Sequence, residues 1–359
     1  MEPVTHFLTG ACLGRAGLNR KTAYATLAAV LAAEAADLDV VWGFAGPVAE
    51  LQHHRGITHT FVAVPVVAAV VTGAVWLLDR ALRRRKRREG ATPVRWGWIY
   101  LSALIASLSH ILLDWTNNYG VRPFFPFNPR WYAGSIVFIA EPLLWVLLGA
   151  AVIVPWLTGL VDREIGLKSK GPRGRGWAIF ALCGMLAVWG WRWLEHDEAL
   201  NLLTKTQVAT APVERIALEP YPVNPFRWHA IVETAHYYQT AEVNTHSELI
   251  DSDLHADVLY KPEVTPAVQA AKQTYLGRVY LDWGTWAVVR DVGQEPVPGL
   301  DVPQLAPGRK WTTVEFRDLR FDYAFRGEGR PGRSVLGGAV YIVDGHEEAG
   351  QSLNGREQK

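Results

Sequence analysis

The distribution of apolar and charged positions divides the chain in two. No Asp, Glu, Lys or Arg occurs in residues 60–78, 96–113, 142–161 or 176–191. A helix needs roughly 20 apolar residues to cross a bilayer core, with about 17–25 usual. The first three runs meet that length. The fourth meets it if Arg192 snorkels and Trp189, Trp191 and Trp193 sit at the interface. Ahead of them, residues 4–13 and the alanine-rich residues 22–36 predict a helical hairpin turning at Arg15, Arg20 and Lys21. An interfacial N-terminal helix is the alternative.

Beyond about residue 205 the pattern changes. Pro220, Pro222, Pro225, Pro262 and Pro266 mark turns between β-rich stretches at 278–282, 285–290, 312–316, 318–325 and 338–343, with room for a helix in 251–273. The fold class read from this pattern is an all-α membrane helical bundle of about five or six membrane segments, followed by a small mostly-β soluble domain. The expected division is a membrane-embedded domain over 1–200, a sandwich or open barrel over 205–345, and a disordered tail over 346–359.

The net charge of +1 excludes little, but its placement sets a topology. Arg80, the run Arg83-Arg84-Arg85-Lys86-Arg87-Arg88 and Arg95 fall between two apolar segments; Arg163, Lys168, Lys170, Arg173 and Arg175 fall between two others. Basic loops beside membrane helices stay in the cytoplasm. A short basic loop tied to two membrane helices is a topology signal rather than a nucleic-acid surface, so membrane lipids and no nucleic acid are the expected partners. The loops around 40–57 and 115–135 then face outward, as does the C-terminal domain. Cys12 and Cys183 lie in apolar segments and make neither a disulfide framework nor a thiolate metal site. The N-terminus lacks the basic region of a cleaved signal peptide, so the chain reads as mature from Met1.

On this topology the polar residues of the first half converge on the outer side. They are Asp37 and Asp39; His53, His54, Arg55 and His59; His110 and Asp114, one helical turn apart; and Glu141 before Pro142. His6 joins them if the hairpin is right. An ionisable pair inside an apolar helix is costly unless compensated, and a cation is the simplest compensation. Imidazoles with carboxylates and no thiolates suit zinc, manganese or iron. More candidates than one tetrahedral ion needs leave room for one to three ions that activate water and clamp a phosphoryl group. Arg55 and Arg122 have the fork that binds phosphate oxygens. Asp37 and Asp39 taken singly would be ordinary helix-end carboxylates, and Glu195, His196, Asp197 and Glu198 read as a solvated exit from the last helix.

Four blocks carry a resemblance: Thr5-His6-Phe7-Leu8; Asp37-Leu38-Asp39; His54-Arg55-Gly56-Ile57-Thr58-His59-Thr60; and Ser109-His110-Ile111-Leu112-Leu113-Asp114. Tyr119-Gly120-Val121-Arg122-Pro123 follows them. Over roughly residues 3–160 the chain resembles the bacterial inner-membrane metal-dependent hydrolase family of the LexA-binding or LexA-regulated type. The family's Pro-Asp-x-Asp-His corner reads here as Ala36-Asp37-Leu38-Asp39-Val40, without the proline and the histidine. Where many relatives carry aspartate before a proline, this chain has Glu141. More distantly, the Ser109–Asp114 block is similar to the His-x-x-x-Asp helix of the zinc-dependent phospholipase C and P1 nuclease superfamily, which cleaves phosphodiesters.

These readings give a multi-pass protein of the bacterial inner membrane with its C-terminal domain outside the cytoplasm. The expected function is a metal-dependent hydrolase acting at the outer face, on a phosphodiester or lipid headgroup. The expected ligands are His6, Asp37, His54, His59, His110, Asp114 and Glu141, with zinc the leading metal. Asp39 or Glu141 is the expected general base; Arg55 and Arg122 are the expected substrate contacts. The alternative is a non-catalytic membrane scaffold or metal-binding protein anchoring an exported domain.

Overall fold

The computed structural model describes residues 1–82, 92–166, 173–206, 208–253, 255–323 and 336–358. The basic run Arg83–Arg88 and Lys168 and Lys170 lie outside the described residues. Seven helices open the described chain: α1 (Pro3–Arg15), α2 (Ala25–Glu34), α3 (Pro47–His53), α4 (Ala63–Leu82), α5 (Trp96–Thr116), α6 (Pro142–Glu164) and α7 (Arg175–Lys205). Four of them, α4 to α7, are long and apolar enough to cross a membrane. At 1.5 Å per residue, α1 and α2 are only about 20 and 15 Å long, too short to cross alone.

Two compact units divide the chain. The first comprises Met1–Leu38, Arg55–Glu198 and Pro220–Pro225; the second comprises Asp39–His54, Ala199–Glu219 and Phe226–Lys359. The boundary near residue 200 follows the pattern of hydropathy. The transfer of Asp39–His54 to the second unit does not.

In the first unit, α1 and α2 form a hairpin whose backbones approach closely. A Cβ added at Gly10 would sit 2.8 Å from the Ala29 carbonyl oxygen, and one at Gly14 would sit 2.4 Å from the Thr26 Cα. Only hydrogen fits at these two positions, four residues apart, which is the small-xxx-small device of membrane helix pairs. The facing stripe of α2 is equally small: Ala25, Ala28, Ala29, Ala32 and Ala33 are all buried. Ala28, Ala29, Ala32 and Ala33 then pack with Ile99, Ala103 and Ala106 of α5 and Ala68, Val71 and Val75 of α4. His110 and Asp114 continue the buried stripe of α5 one and two turns further on.

Helix direction sorts the charges. Arg15 ends α1, Arg80 lies in the last turn of α4, Arg95 precedes α5 and Arg175 begins α7. The Arg175 Nε donates to the Ala16 carbonyl oxygen (3.0 Å), and Lys21 lies over the Trp98 ring, so these termini share one end of the helices. At the opposite end His6 stacks on His110. Arg192, read from the sequence as snorkelling, is instead buried. Its guanidinium donates to the carbonyl oxygens of Ile136 (2.8 Å), Asn224 (2.8 Å) and Tyr221 (3.2 Å).

The second unit holds two antiparallel sheets. In the first, β1 (Val213–Pro220), β2 (Arg227–Thr234), β3 (Tyr237–Asn244) and β4 (Leu249–Asp251) lie in chain order, with β5 (Val258–Tyr260) also paired to β3. In the second, β6 (Ala287–Asp291), β7 (Trp311–Asp318), β8 (Gly338–Val343), β9 (Glu347–Leu353) and β10 (Arg356–Glu357) form a meander. Ile231, Trp286, Val288 and Leu319 join the two through a common core. Between them come α8 (Pro266–Gln273), inside the window expected to hold a helix, and α9 (Tyr275–Trp283).

Three expectations need correction. Residues 278–282 are helix α9, not strand: the Thr274 side chain accepts from the Gly277 N–H, and Leu276, Val279, Tyr280 and Trp283 recur at helical spacing. Within 318–325, Leu319–Phe321 is a 3-10 turn, and residues 324 and 325 lie outside the described residues. Residues 346–358 are ordered. Asp344 and Gly345, both at positive φ (49° and 79°), make the tight turn that folds β9 back on β8. Leu353 is then buried, and the Gln358 side chain accepts from the Val48 N–H (2.9 Å) and donates to the Ala45 carbonyl oxygen (2.9 Å). Arg356 pairs with Glu50 at 2.7 Å, and the Tyr275 hydroxyl donates to Gln52 at 2.6 Å. These contacts draw residues 39–54 into the second unit.

Every residue of β8 is buried, so removing its partner β9 exposes an apolar edge. A chain ending at Asp344 is expected to lose the folded second unit. Limited proteolysis of the purified protein reads this: the full chain keeps a resistant C-terminal fragment and the shortened chain does not. Equal resistance would return residues 346–359 to the status of a dispensable tail.

Candidate metal centre

Four donors of the first unit converge. Asp37 lies just past α2, in the 3-10 stretch Ala35–Ala45; His59 ends the short turn Ile57–His59; His110 and Asp114 are one turn apart on α5. One ligand atom from each lies within 4.8 Å of all the others. His59 Nε2 is 3.2 Å from Asp37 Oδ1 and 3.4 Å from Asp114 Oδ2; His110 Nε2 is 3.6 Å and 3.2 Å from the same two oxygens. Bonds of about 2.0–2.1 Å to a tetrahedral ion put neighbouring donors about 3.3–3.4 Å apart. The four measured edges bracket that value.

The far sides of both rings are already engaged. His110 Nδ1 donates to the Ala33 carbonyl oxygen at 2.5 Å, and His59 Nδ1 contacts the Thr58 hydroxyl at 3.0 Å. Holding Nδ1 this way turns Nε2 toward the centre, the arrangement that orients metal-bound imidazoles. His110 Nε2 and Asp114 Oδ2 are both buried without a hydrogen-bond partner. Buried donors and acceptors are otherwise almost always satisfied, so the residues present fit a divalent cation.

Around these four stand supporting groups. His6 is buried, stacks on the His110 ring with centroids 3.8 Å apart, and brings Nε2 to 3.4 Å from Asp114 Oδ1. Arg55, expected from the sequence to face substrate, is 2% exposed. Its Nη2 contacts Asp114 Oδ1 at 2.8 Å, and its Nη1 donates to Asn117 Oδ1 (3.2 Å) and the Gly120 carbonyl oxygen (2.8 Å). That geometry fixes the Asp114 carboxylate against the loop after α5. It takes a left-handed backbone (φ 54°), uncommon for a non-glycine residue. The Met1 amino group also meets the Asp114 carboxylate.

The remaining candidates are not part of that four-donor group. Asp39 and His54 belong to the second unit and pair with each other at 3.1 Å. His53 stacks on Trp42 there. Glu141 accepts from the Leu143 and Val223 N–H groups, both at 3.3 Å, and is not part of the four-donor group. Burial raises its pKa, against the pull of those N–H groups and Arg192. Arg122 is nearly buried between the rings of Trp131 (4.5 Å) and Phe125 (5.3 Å).

Three supporting groups were not anticipated from the sequence. Thr58 lies inside the His-Arg-Gly-Ile-Thr-His block, and its hydroxyl was available as a signal. Asn117, just past the end of α5, holds Arg55 and also accepts from the Tyr119 N–H at 2.8 Å. The Ala33 carbonyl leaves no trace in a sequence.

The YdjM inner membrane protein family matches residues 1–199 of the chain. The chain belongs to that family, in agreement with the resemblance of its N-terminal half. It is also 25% identical over 167 residues to the uncharacterized protein YfhP of Bacillus subtilis (strain 168), an alignment covering 44% of this chain and 47% of YfhP. The chain thus spans about half the length of the curated relative it matches. No solved structure matches it.

Arg55 and Asn117 are expected to act as one unit on Asp114. Lysine cannot reproduce the two-pronged guanidinium, so Arg55→Lys and Asn117→Ala each lower stability in detergent. A double-mutant cycle is expected to show about 1 kcal/mol of coupling between them. Simple additivity would mean that Asn117 does not act through Arg55.

Proposed function

We propose that this member of the YdjM inner membrane protein family is a metal-dependent hydrolase acting on a phosphodiester or lipid-headgroup phosphate at the outer membrane face. The observation that carries the reading is the four-donor geometry of Asp37, His59, His110 and Asp114, with His110 Nε2 and Asp114 Oδ2 otherwise unsatisfied. Two imidazoles and two carboxylates suit zinc, with manganese or iron as competitors. A divalent cation there supplies Lewis acidity to a phosphoryl oxygen and lowers the pKa of water.

The protein's own residues do the rest. Arg55 fixes the Asp114 carboxylate, and the Ala33 carbonyl and Thr58 hydroxyl fix the two imidazoles. His6 stacks on the His110 ring and brings Nε2 to 3.4 Å from Asp114 Oδ1, which holds both side chains in place. Arg122, backed by Trp131, is our candidate for the substrate's phosphate oxygens.

Sidedness rests on the basic termini. Arg15, Arg80, Arg95 and Arg175 lie at the helix ends away from His110 and Asp114, and the positive-inside rule assigns such ends to the cytoplasm. The donor cluster then faces outward. Helix α7 runs from Arg175 toward that outer face, which supports an extracytoplasmic second unit.

A substrate screen with chelator tests this reading. Purified protein offered bis(p-nitrophenyl) phosphate and phospholipids is expected to show turnover that disappears with chelator and returns with zinc. His59→Ala and Asp37→Ala are expected to abolish it. Absence of chelator-sensitive turnover on every substrate would favour the non-catalytic scaffold.

A further inference from the structure

At the basic end of the first unit lies a cavity of about 480 Å³, within the range of about 300–1,000 Å³ usual for small-molecule sites. Its lining combines two chemistries. Arg20, Lys21 and Arg175 supply three cations; Leu13, Leu18 and Trp98 supply apolar surface. Among the described residues, no carboxylate lines the cavity.

Three separate elements build this lining. Arg20 and Lys21 follow α1 in the turn before α2, while Arg175 is the first residue of α7 and Trp98 lies in the first turn of α5. Arg175 is pinned by its Nε to the Ala16 carbonyl oxygen (3.0 Å), and the Lys21 ammonium lies 5.6 Å from the Trp98 ring centroid. Two helices, α5 and α7, begin here, so the positive ends of their dipoles add to the three side-chain charges. Clustered like charges repel one another; an anion that all three can share relieves that repulsion.

The apolar half of the lining decides what kind of anion. A soluble phosphate has no use for two leucines and an indole face. A phospholipid does: its phosphate meets the cations while its glycerol and upper acyl chain lie along Leu13, Leu18 and Trp98. Tryptophan at the start of a membrane helix marks the headgroup level, and basic pockets between membrane helices on the cytoplasmic side suit anionic headgroups. We propose that this groove binds the phosphate headgroup of an anionic phospholipid of the cytoplasmic leaflet.

Native mass spectrometry of the full chain in detergent, titrated with phosphatidylglycerol, tests this. Wild type is expected to retain phosphatidylglycerol in preference to phosphatidylcholine. Each cation removed is expected to weaken retention about fivefold, and R20Q/K21Q/R175Q together about a hundredfold. If the triple variant does not fold, Lys21→Gln alone, at an exposed position, carries the test. Arg80→Gln removes a cation from the same end of the helices but outside the groove, and is expected to leave retention unchanged. Three results would overturn the proposal: equal retention of the two lipids, equal loss in Arg80→Gln, or displacement of the lipid by inorganic phosphate.

Discussion

A carboxylate with no solvent exposure, carried on a helix whose other buried residues, His110 apart, are small or apolar, has to be compensated, and much of the first unit is arranged to compensate Asp114. Arg55 meets one oxygen at 2.8 Å, with His6 at 3.4 Å from the same atom; His110 and His59 lie 3.2 and 3.4 Å from the other. Burying a charge in this setting costs several kcal/mol unless its partners are well placed. Placement is supplied from a distance. The Gly10 and Gly14 contacts let α1 approach α2, which sets both His6 and the Ala33 carbonyl against α5. Asn117 and Gly120, just past the end of α5, secure the other side of Arg55.

Much of this was legible in the sequence because the membrane makes rules stricter. An uncharged run of bilayer length is rare outside a membrane helix, and α4 to α7 follow such runs closely. The His110–Asp114 pair stood out because ionisable residues one turn apart inside an apolar helix are expensive. The N-terminal hairpin was readable from its arginine turn. Its packing device lies in Gly10 and Gly14, whose four-residue spacing is equally visible in the chain.

The second unit was harder to read because a soluble domain has weaker local rules. Residues 278–282 have a β-rich composition, yet a Thr274 cap and a helical apolar stripe prevail. The polar tail after Gly345 looked disordered, since its partners, β8 and the Ala45–Gln52 stretch, are remote in sequence. The same long-range contacts explain why Asp39 and His54, neighbours of Asp37 and His59 in the chain, fall into a different unit. Asp37 and His59 belong to the first unit, Asp39 and His54 to the second.

In the proposed site, Asp37, His59, His110 and Asp114 hold a divalent metal ion. Elemental analysis of purified wild type beside the His110→Ala, Asp114→Ala double variant tests it most directly. Stoichiometric transition metal, zinc foremost, is expected in the wild type, with its loss in the variant. Metal content that is absent from the wild type, or unchanged in the variant, would contradict it.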